Sequence, residues 1–162
     1  LDECASNDIP SMNANLYVME LPDSVIVVPV TPDGEFVLVE QYRHGADQWV
    51  LECPGGNRED EEHLETAVIR ELLEETGYRA ESITPLNSNP QEPSCQSGRC
   101  FAYLALGCEL ETQPMLDTFE ALRVRRFTRE KLWEAIHAGS DFHIPSLAAL
   151  LQVLSSPALV SG

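Results

Sequence analysis

Apolar and polar positions alternate along the chain in short blocks that separate strands from helices. Residues 25–30 (VIVVPV), 36–42 (FVLVEQY) and 100–106 (CFAYLAL) are apolar runs of strand length. The first two flank Thr31-Pro32-Asp33-Gly34, a turn by composition, and so predict a hairpin. Pro29 assigns the first of them to a sheet edge or a bulge. Shorter strands are predicted at 16–21, ended by Pro22, at 49–52 and at 82–86. A further strand at 122–127 reads Leu-Arg-Val-Arg-Arg-Phe. Helical periodicity covers 63–76, with Gly77 as C-cap, and 129–138, with Thr128 as N-cap and Gly139 closing it. A last helix starts at Pro145 and runs through 154, apolar at Leu147, Ala148, Leu150, Leu151 and Leu154. Residues 43–47, 87–98 and 117–120 are loops, and 87–98 is long and turn-rich, the kind of loop that carries function on a rigid scaffold. The pattern is α+β, with helices packed on a mixed sheet. It predicts a loose polar segment at 1–15 and a single domain over 16–162, with no repeat or linker.

The helix at 63–76 is unusual. At about 100° per residue, Leu64, Ala67 and Val68 share a stripe that Glu71, Glu74 and Glu75 continue toward the C-terminal end. Ile69, Leu72 and Leu73 make a second apolar face, which predicts packing on two sides. Like charges four apart repel, and negative charge near a helix C-terminus opposes the macrodipole. Arg70 offsets only part of this. A solvated acidic face is the plain explanation of such a cluster. The alternative is a ligand set of hard oxygens for Mg²⁺ or Mn²⁺.

Composition narrows the class. The 162 residues are 43% hydrophobic, which suits one globular domain with a real core. No apolar run reaches the roughly 18 residues of a membrane span. The first sixteen residues lack the basic region and apolar core of a signal peptide. The formal net charge of −17 argues against nucleic acid and anionic membranes as partners. A polyanionic small substrate stays compatible, because a bound metal reverses the local field. Five cysteines, an odd number with no CxxC pair, read as reduced thiols of a cytoplasmic protein and not as a zinc site. Cys53, beside the Gly55-Gly56 turn, reads as a packing residue rather than a nucleophile.

The spacing of Gly56, Glu62, Arg70-Glu71-Leu72, Glu74-Glu75 and Gly77 resembles the Nudix box, G-x5-E-x7-R-E-U-x-E-E-x-G-U, at every charged and glycine position. Only Tyr78 departs, standing where an aliphatic residue is usual. The resemblance implies an α/β/α sandwich and Mg²⁺-dependent hydrolysis of a nucleoside diphosphate linked to another group. By that resemblance Glu71 and Glu75 are metal ligands, Glu74 a ligand or the general base, and the Gly55 carbonyl a further ligand. Arg70 orients the carboxylates. Glu62 holds the loop-to-helix turn, or is an ordinary first-turn acid.

The flanks are similar to those of ADP-ribose and other nucleotide-sugar pyrophosphatases: Gln41-Tyr42-Arg43, then Glu52 before Pro54-Gly55-Gly56, with Pro93 some way on. The likeness implies that Arg43 and Glu52 bind substrate, Arg43 at the phosphates, its alternative being a solvated loop arginine. It also implies a homodimer with N-terminal strands exchanged or packed between subunits. Those enzymes carry a catalytic glutamate in the loop after the box. Here Glu92 is that loop's sole carboxylate, out of the usual position. Glu74, Glu92 and Glu120 are therefore all candidates for the base. The competing functions are a house-cleaning nucleoside triphosphate hydrolase and a non-catalytic nucleotide-sugar sensor. The complete box and the lack of a DNA-binding appendage weigh against the sensor.

Overall fold

The computed structural model describes residues 2–3, 15–116 and 121–156. In chain order these form β1 (Asp2–Glu3), β2 (Asn15–Leu16), β3 (Ser24–Val30), β4 (Phe36–Arg43), β5 (Gln48–Glu52), β6 (Gly55–Asn57), α1 (Leu64–Thr76), β7 (Tyr78–Arg79), β8 (Ser82–Pro90), β9 (Arg99–Leu106), β10 (Glu109–Leu110), β11 (Leu122–Phe127), α2 (Arg129–His137) and α3 (Ile144–Ser155). The predicted loop at 117–120 lies outside the described residues, as does most of the segment 1–15.

Strand alternation builds a core on each side of one mixed sheet. Ile26, Val28 and Val30 of β3, with Phe36 and Leu38 of β4, point to the face covered by Leu132 of α2 and by Ala149, Leu150, Val153 and Leu154 of α3. Val25, Val27 and Val37 point to the other face, where Ala67, Val68 and Leu72 of α1 close over them. Burial on both faces explains why these strands read as continuous apolar runs. The result is an α/β/α sandwich, with strand order β11-β4-β3-β9-β8 in a seven-stranded sheet. β3 and β9 are parallel, and the other pairs are antiparallel.

The hairpin of β3 and β4 is joined only near its turn, by the pair Val30↔Phe36. Beyond that pair the strands splay. β5 fills the gap on the β4 side (Val39↔Glu52 to Arg43↔Gln48) and β6 on the β3 side (Ser24↔Asn57 to Ile26↔Gly55). The Gly-Gly turn is thereby pressed into the middle of the sheet.

This arrangement corrects the reading of Pro29. β3 is central, and Pro29 pairs with Ala105 of β9. The amides of Val27 and Thr31 point toward the splayed side, to the carbonyls of Pro54 and Glu35, each at 2.9 Å. By period-two alternation the Pro29 nitrogen points there too, at the level where β3 leaves β6 for β4. Its missing N–H therefore removes no ladder bond to β9.

Four other expectations change. The predicted strand at 16–21 shrinks to β2, followed by an isolated bridge between Met19 and Gln96. β8 runs to Pro90 through a bulge between Pro85 and Asn87, so the first part of the predicted loop 87–98 is paired with β9. α1 buries one stripe and not two: Ile69 is 46% exposed while Leu72 is buried. α3 is turned relative to the predicted face, burying Ser146, Ala149, Leu150, Val153 and Leu154 while Leu147 and Leu151 are only half-buried and Ala148 is exposed. The boundaries of α1 agree with the sequence to within a residue. Gly77, at φ 75°, donates its N–H to the Leu73 carbonyl and supplies the left-handed cap.

Candidate active site

Glu71 and Glu75 lie one turn apart on α1, where the helix passes over the Gly-Gly turn. The buried stripe of α1 runs Ala67, Val68, Leu72 and then Glu75, so burial carries a carboxylate into the position that period 3.6 reserves for an apolar residue. Glu75 is 5% exposed, and its Oε2 accepts the Gly55 N–H at 2.9 Å. A Cβ on Gly55 would stand 2.8 Å from Ile26 Cα, so the turn sits this deep only as glycine. A Cβ on Gly56 would stand 2.7 Å from Glu71 Cδ, so this glycine makes room for the Glu71 carboxylate.

Arg70 organises the acids. Its Nε and Nη2 donate to the two oxygens of Glu62 at 3.1 and 3.0 Å. Nη1 donates to Glu71 Oε1 at 2.8 Å and to Glu74 Oε2 at 3.2 Å, and Nη2 also reaches the Asn57 carbonyl at 3.1 Å. Glu62 accepts in addition the Glu59 N–H, so it ties the loop ahead of α1 to the helix. This is the turn-holding role rather than that of a plain first-turn acid. Hydrogen bonding from Arg70 holds the Glu62 carboxyl below its usual pKa, and the same bond pushes the Arg70 pKa further up.

A second polar network comes from β4, β5 and α3. Arg43 grips Glu52 with two charge-assisted bonds, Nε to Oε1 at 2.6 Å and Nη2 to Oε2 at 2.7 Å. Glu52 is 3% exposed, and the Arg43 side chain is about half in water. The buried Ser146 hydroxyl accepts the Cys53 N–H at 3.0 Å and lies 3.0 Å from His143 Nδ1. His143 Nδ1 is also 3.8 Å from Glu52 Oε2. Burial pushes the Cys53 thiol well above its ordinary pKa, which makes it an inert packing group.

Both networks line one cleft of about 740 Å³, a volume typical of a small-molecule site. Arg43, Glu52, Gly55, Gly56, Arg70, Glu71, Glu75 and His143 all border it. Four of its bordering side chains are carboxylates (Glu52, Glu59, Glu71 and Glu75) against two guanidiniums. A polyanion would be repelled from such a cleft unless a cation enters with it. The donors beside the Gly-Gly turn are all oxygens, which suits a hard divalent cation. Among the described residues no three histidine, cysteine or acidic side chains converge at ligand spacing. The ion pairs to Arg70 and the Glu75–Gly55 bond account for where these carboxylates rest.

Other residues singled out by sequence stand elsewhere. Glu74 is 41% exposed at its side chain and borders no part of the cleft, but it shares Arg70 Nη1 with Glu71. Glu92 is exposed and folded back on its own turn, accepting the Ser94 hydroxyl at 2.5 Å and the Ser94 N–H at 3.4 Å. Those bonds hold its carboxyl below the usual pKa. Its neighbour Gln91 borders the cleft instead, donating to Ser24 Oγ at 2.6 Å. Glu120 lies outside the described residues. His143 and Ser146 escaped the sequence reading; the only local sign was a histidine just ahead of a proline-started helix.

With Glu92 turned to Ser94, Glu92→Gln is expected to leave turnover within about threefold of the parent, far short of the 10²–10⁴-fold that a general base supplies. Steady-state rates at saturating substrate and metal check this, and a loss of a hundredfold would return Glu92 to the chemistry.

Comparison with known proteins identifies the family. The NUDIX domain family model matches residues 20–150. Over 134 residues the chain is 32% identical to the ADP-ribose pyrophosphatase of Bacillus subtilis (strain 168), spanning 82% of this chain and 72% of that protein. Over 63 residues it is 48% identical to the ADP-sugar pyrophosphatase of Mus musculus, a match that spans 36% of this chain and 29% of that one. Among solved structures, an ADP compounds hydrolase superposes with a TM-score of 0.70 at 24% identity, covering 85% of this chain and 74% of that one, a likeness of fold.

Proposed function

Since the chain belongs to the NUDIX domain family and is a Nudix hydrolase of the ADP-ribose pyrophosphatase-like kind, we propose that it hydrolyses the diphosphate link of ADP-ribose or a closely related nucleotide sugar, with Mg²⁺ as the preferred cation. The observation that carries this reading is the single cleft joining the box carboxylates Glu71 and Glu75 to the Arg43–Glu52 pair.

Glu71, Glu75 and the Gly55 carbonyl are the groups that would hold the cation. A divalent cation bound there supplies charge neutralisation of the diphosphate and polarisation of a phosphoryl oxygen. Arg70 spreads its positive charge over Glu62, Glu71 and Glu74 and keeps the acids from flying apart. Arg43, fixed by Glu52, presents a guanidinium to the substrate phosphates, while Glu52 acts through Arg43 and not by touching substrate. Water attacks phosphorus, the bond to the leaving phosphate oxygen breaks, and the water proton passes to a box carboxylate. We assign that proton to Glu74, which would have to leave Arg70 Nη1 and turn past Glu71 to reach the cleft that Glu71 borders.

A cytoplasmic homodimer is part of the same reading. The free thiols of Cys53, Cys95, Cys100 and Cys108 support a reducing compartment. Exposed Tyr17, Val18 and Met19 near the N-terminal side support self-association. The net charge of −17 argues against nucleic acid, and no helix among the described residues is long and apolar enough to cross a membrane.

A panel of nucleotide sugars and nucleoside triphosphates tests the substrate. ADP-ribose is expected to give AMP and ribose 5-phosphate with the highest kcat/KM of the panel. Faster cleavage of triphosphates than of any nucleotide sugar would replace this reading by a house-cleaning role.

A further inference from the structure

We propose that His143 is a specificity-determining residue of the cleft, using Nε2 to bind a hydroxyl of the sugar attached to the diphosphate. The inference rests on the diphosphatase reading and names which part of the substrate the α3 side of the cleft recognises.

His143 is the N-cap residue of α3, yet its side chain makes no capping bond to that helix. The imidazole instead borders the cleft, with its side chain 38% exposed. Its Nδ1 faces inward to Ser146 Oγ at 3.0 Å. One lone pair of that oxygen already takes the Cys53 N–H. Whichever of the two donates, the contact with Ser146 occupies Nδ1 on the inward side of the ring. Nε2 has no partner among the described residues and is the polar atom the ring has left for the cleft.

The surroundings keep this ring neutral. Glu52 Oε2 stands 3.8 Å from Nδ1, beyond hydrogen-bond reach, and both Glu52 oxygens are taken by Arg43. Burial, aided by the Arg43 charge and against the pull of Glu52, moves the His143 pKa below its ordinary value. A neutral ring nitrogen, donor or acceptor, is a poor phosphate ligand beside a guanidinium. It is well matched to an uncharged hydroxyl. Arg43 and His143 thus divide the substrate between them, with phosphate to the first and sugar to the second.

The test compares kcat/KM for ADP-ribose with that for an ADP whose β-phosphate carries a plain alkyl group. His143→Asn keeps a group at the Nδ1 position but presents nothing at Nε2, and His143→Ala removes both. The absence of a side-chain cap means neither change takes a capping bond from α3, and thermal unfolding checks that each variant is folded. In both, the preference for ADP-ribose is expected to fall about tenfold, the discrimination that one neutral hydrogen bond provides. In His143→Gln, whose longer amide places a donor or an acceptor near the Nε2 position, most of the preference is expected to remain. An unchanged preference in the asparagine and alanine variants, or equal losses on both compounds, overturns the proposal while leaving the diphosphatase reading intact. If the parent cleaves neither compound, that reading fails and this inference with it.

Discussion

Replacing Glu75 by glutamine is expected to lower kcat about a hundredfold or more while the protein stays folded. The substitution separates two things this side chain does. As an acceptor, Oε2 takes the Gly55 N–H at 2.9 Å, and a glutamine carbonyl oxygen can take the same bond. As a charge, it is the most buried carboxylate of the α1 stripe and, on the proposed reading, the anionic ligand that a cation beside the turn would take. Removing one such preorganised electrostatic group typically lowers kcat by about 10²–10³-fold. The fold loses little, because a negative charge near the C-terminal end of α1 repels Glu71 and opposes the helix dipole. Steady-state kinetics and thermal unfolding of the purified variant separate the two effects. Near-normal turnover would remove Glu75 from the chemistry.

The second large effect is expected from Gly56→Ala, which touches no charge. The added methyl group would stand 2.7 Å from Glu71 Cδ, against a side-chain end and not against backbone. The carboxylate moves aside, and with it the bond from Arg70 Nη1 at 2.8 Å. Because the obstacle is flexible, the turn survives and the thermal midpoint stays near the parent's. Catalysis does not, since displacing a catalytic group by about 1 Å can lower the rate by about 10²-fold. The same change at Gly55 meets Ile26 Cα at 2.8 Å, a backbone atom that cannot yield, so there the fold itself is expected to fail. Activity lost with folding kept in Gly56→Ala identifies the turn as the wall that sets Glu71. Full activity would mean that Glu71 does its work from another rotamer.

The box helix was legible because everything that defines it is local. Residue spacing on a 3.6 period, the acids on one stripe and a left-handed glycine at its end are properties of consecutive residues, and α1 spans Leu64–Thr76 against a predicted 63–76. Arg43 and Glu52 were legible as residues of the site but not as partners. Their grip depends on the β4–β5 register that sets Arg43 opposite Gln48 and Glu52 opposite Val39. His143 and Ser146 were invisible for a stronger form of the same reason. Cys53 meets Ser146 across 93 positions of sequence, and no periodicity reports a side-chain bond over that span. Pro29 misled because the rule about proline in strands concerns the missing N–H. The direction of that N–H is decided by where β4 splays away, a tertiary event. The Glu92 loop reads as catalytic by position, yet its serine two residues on captures the carboxylate within the turn.

On the proposed reading, the acid-lined cleft hydrolyses a nucleotide-sugar diphosphate only with a divalent cation present. The most direct test follows ADP-ribose turnover in the parent protein after chelation and again after Mg²⁺ is restored, with the products identified. The cleft carries four carboxylates against two guanidiniums, so activity is expected to vanish with the chelator and return with Mg²⁺, giving AMP and ribose 5-phosphate in equal amounts. Undiminished release of AMP from the chelated protein would contradict the account.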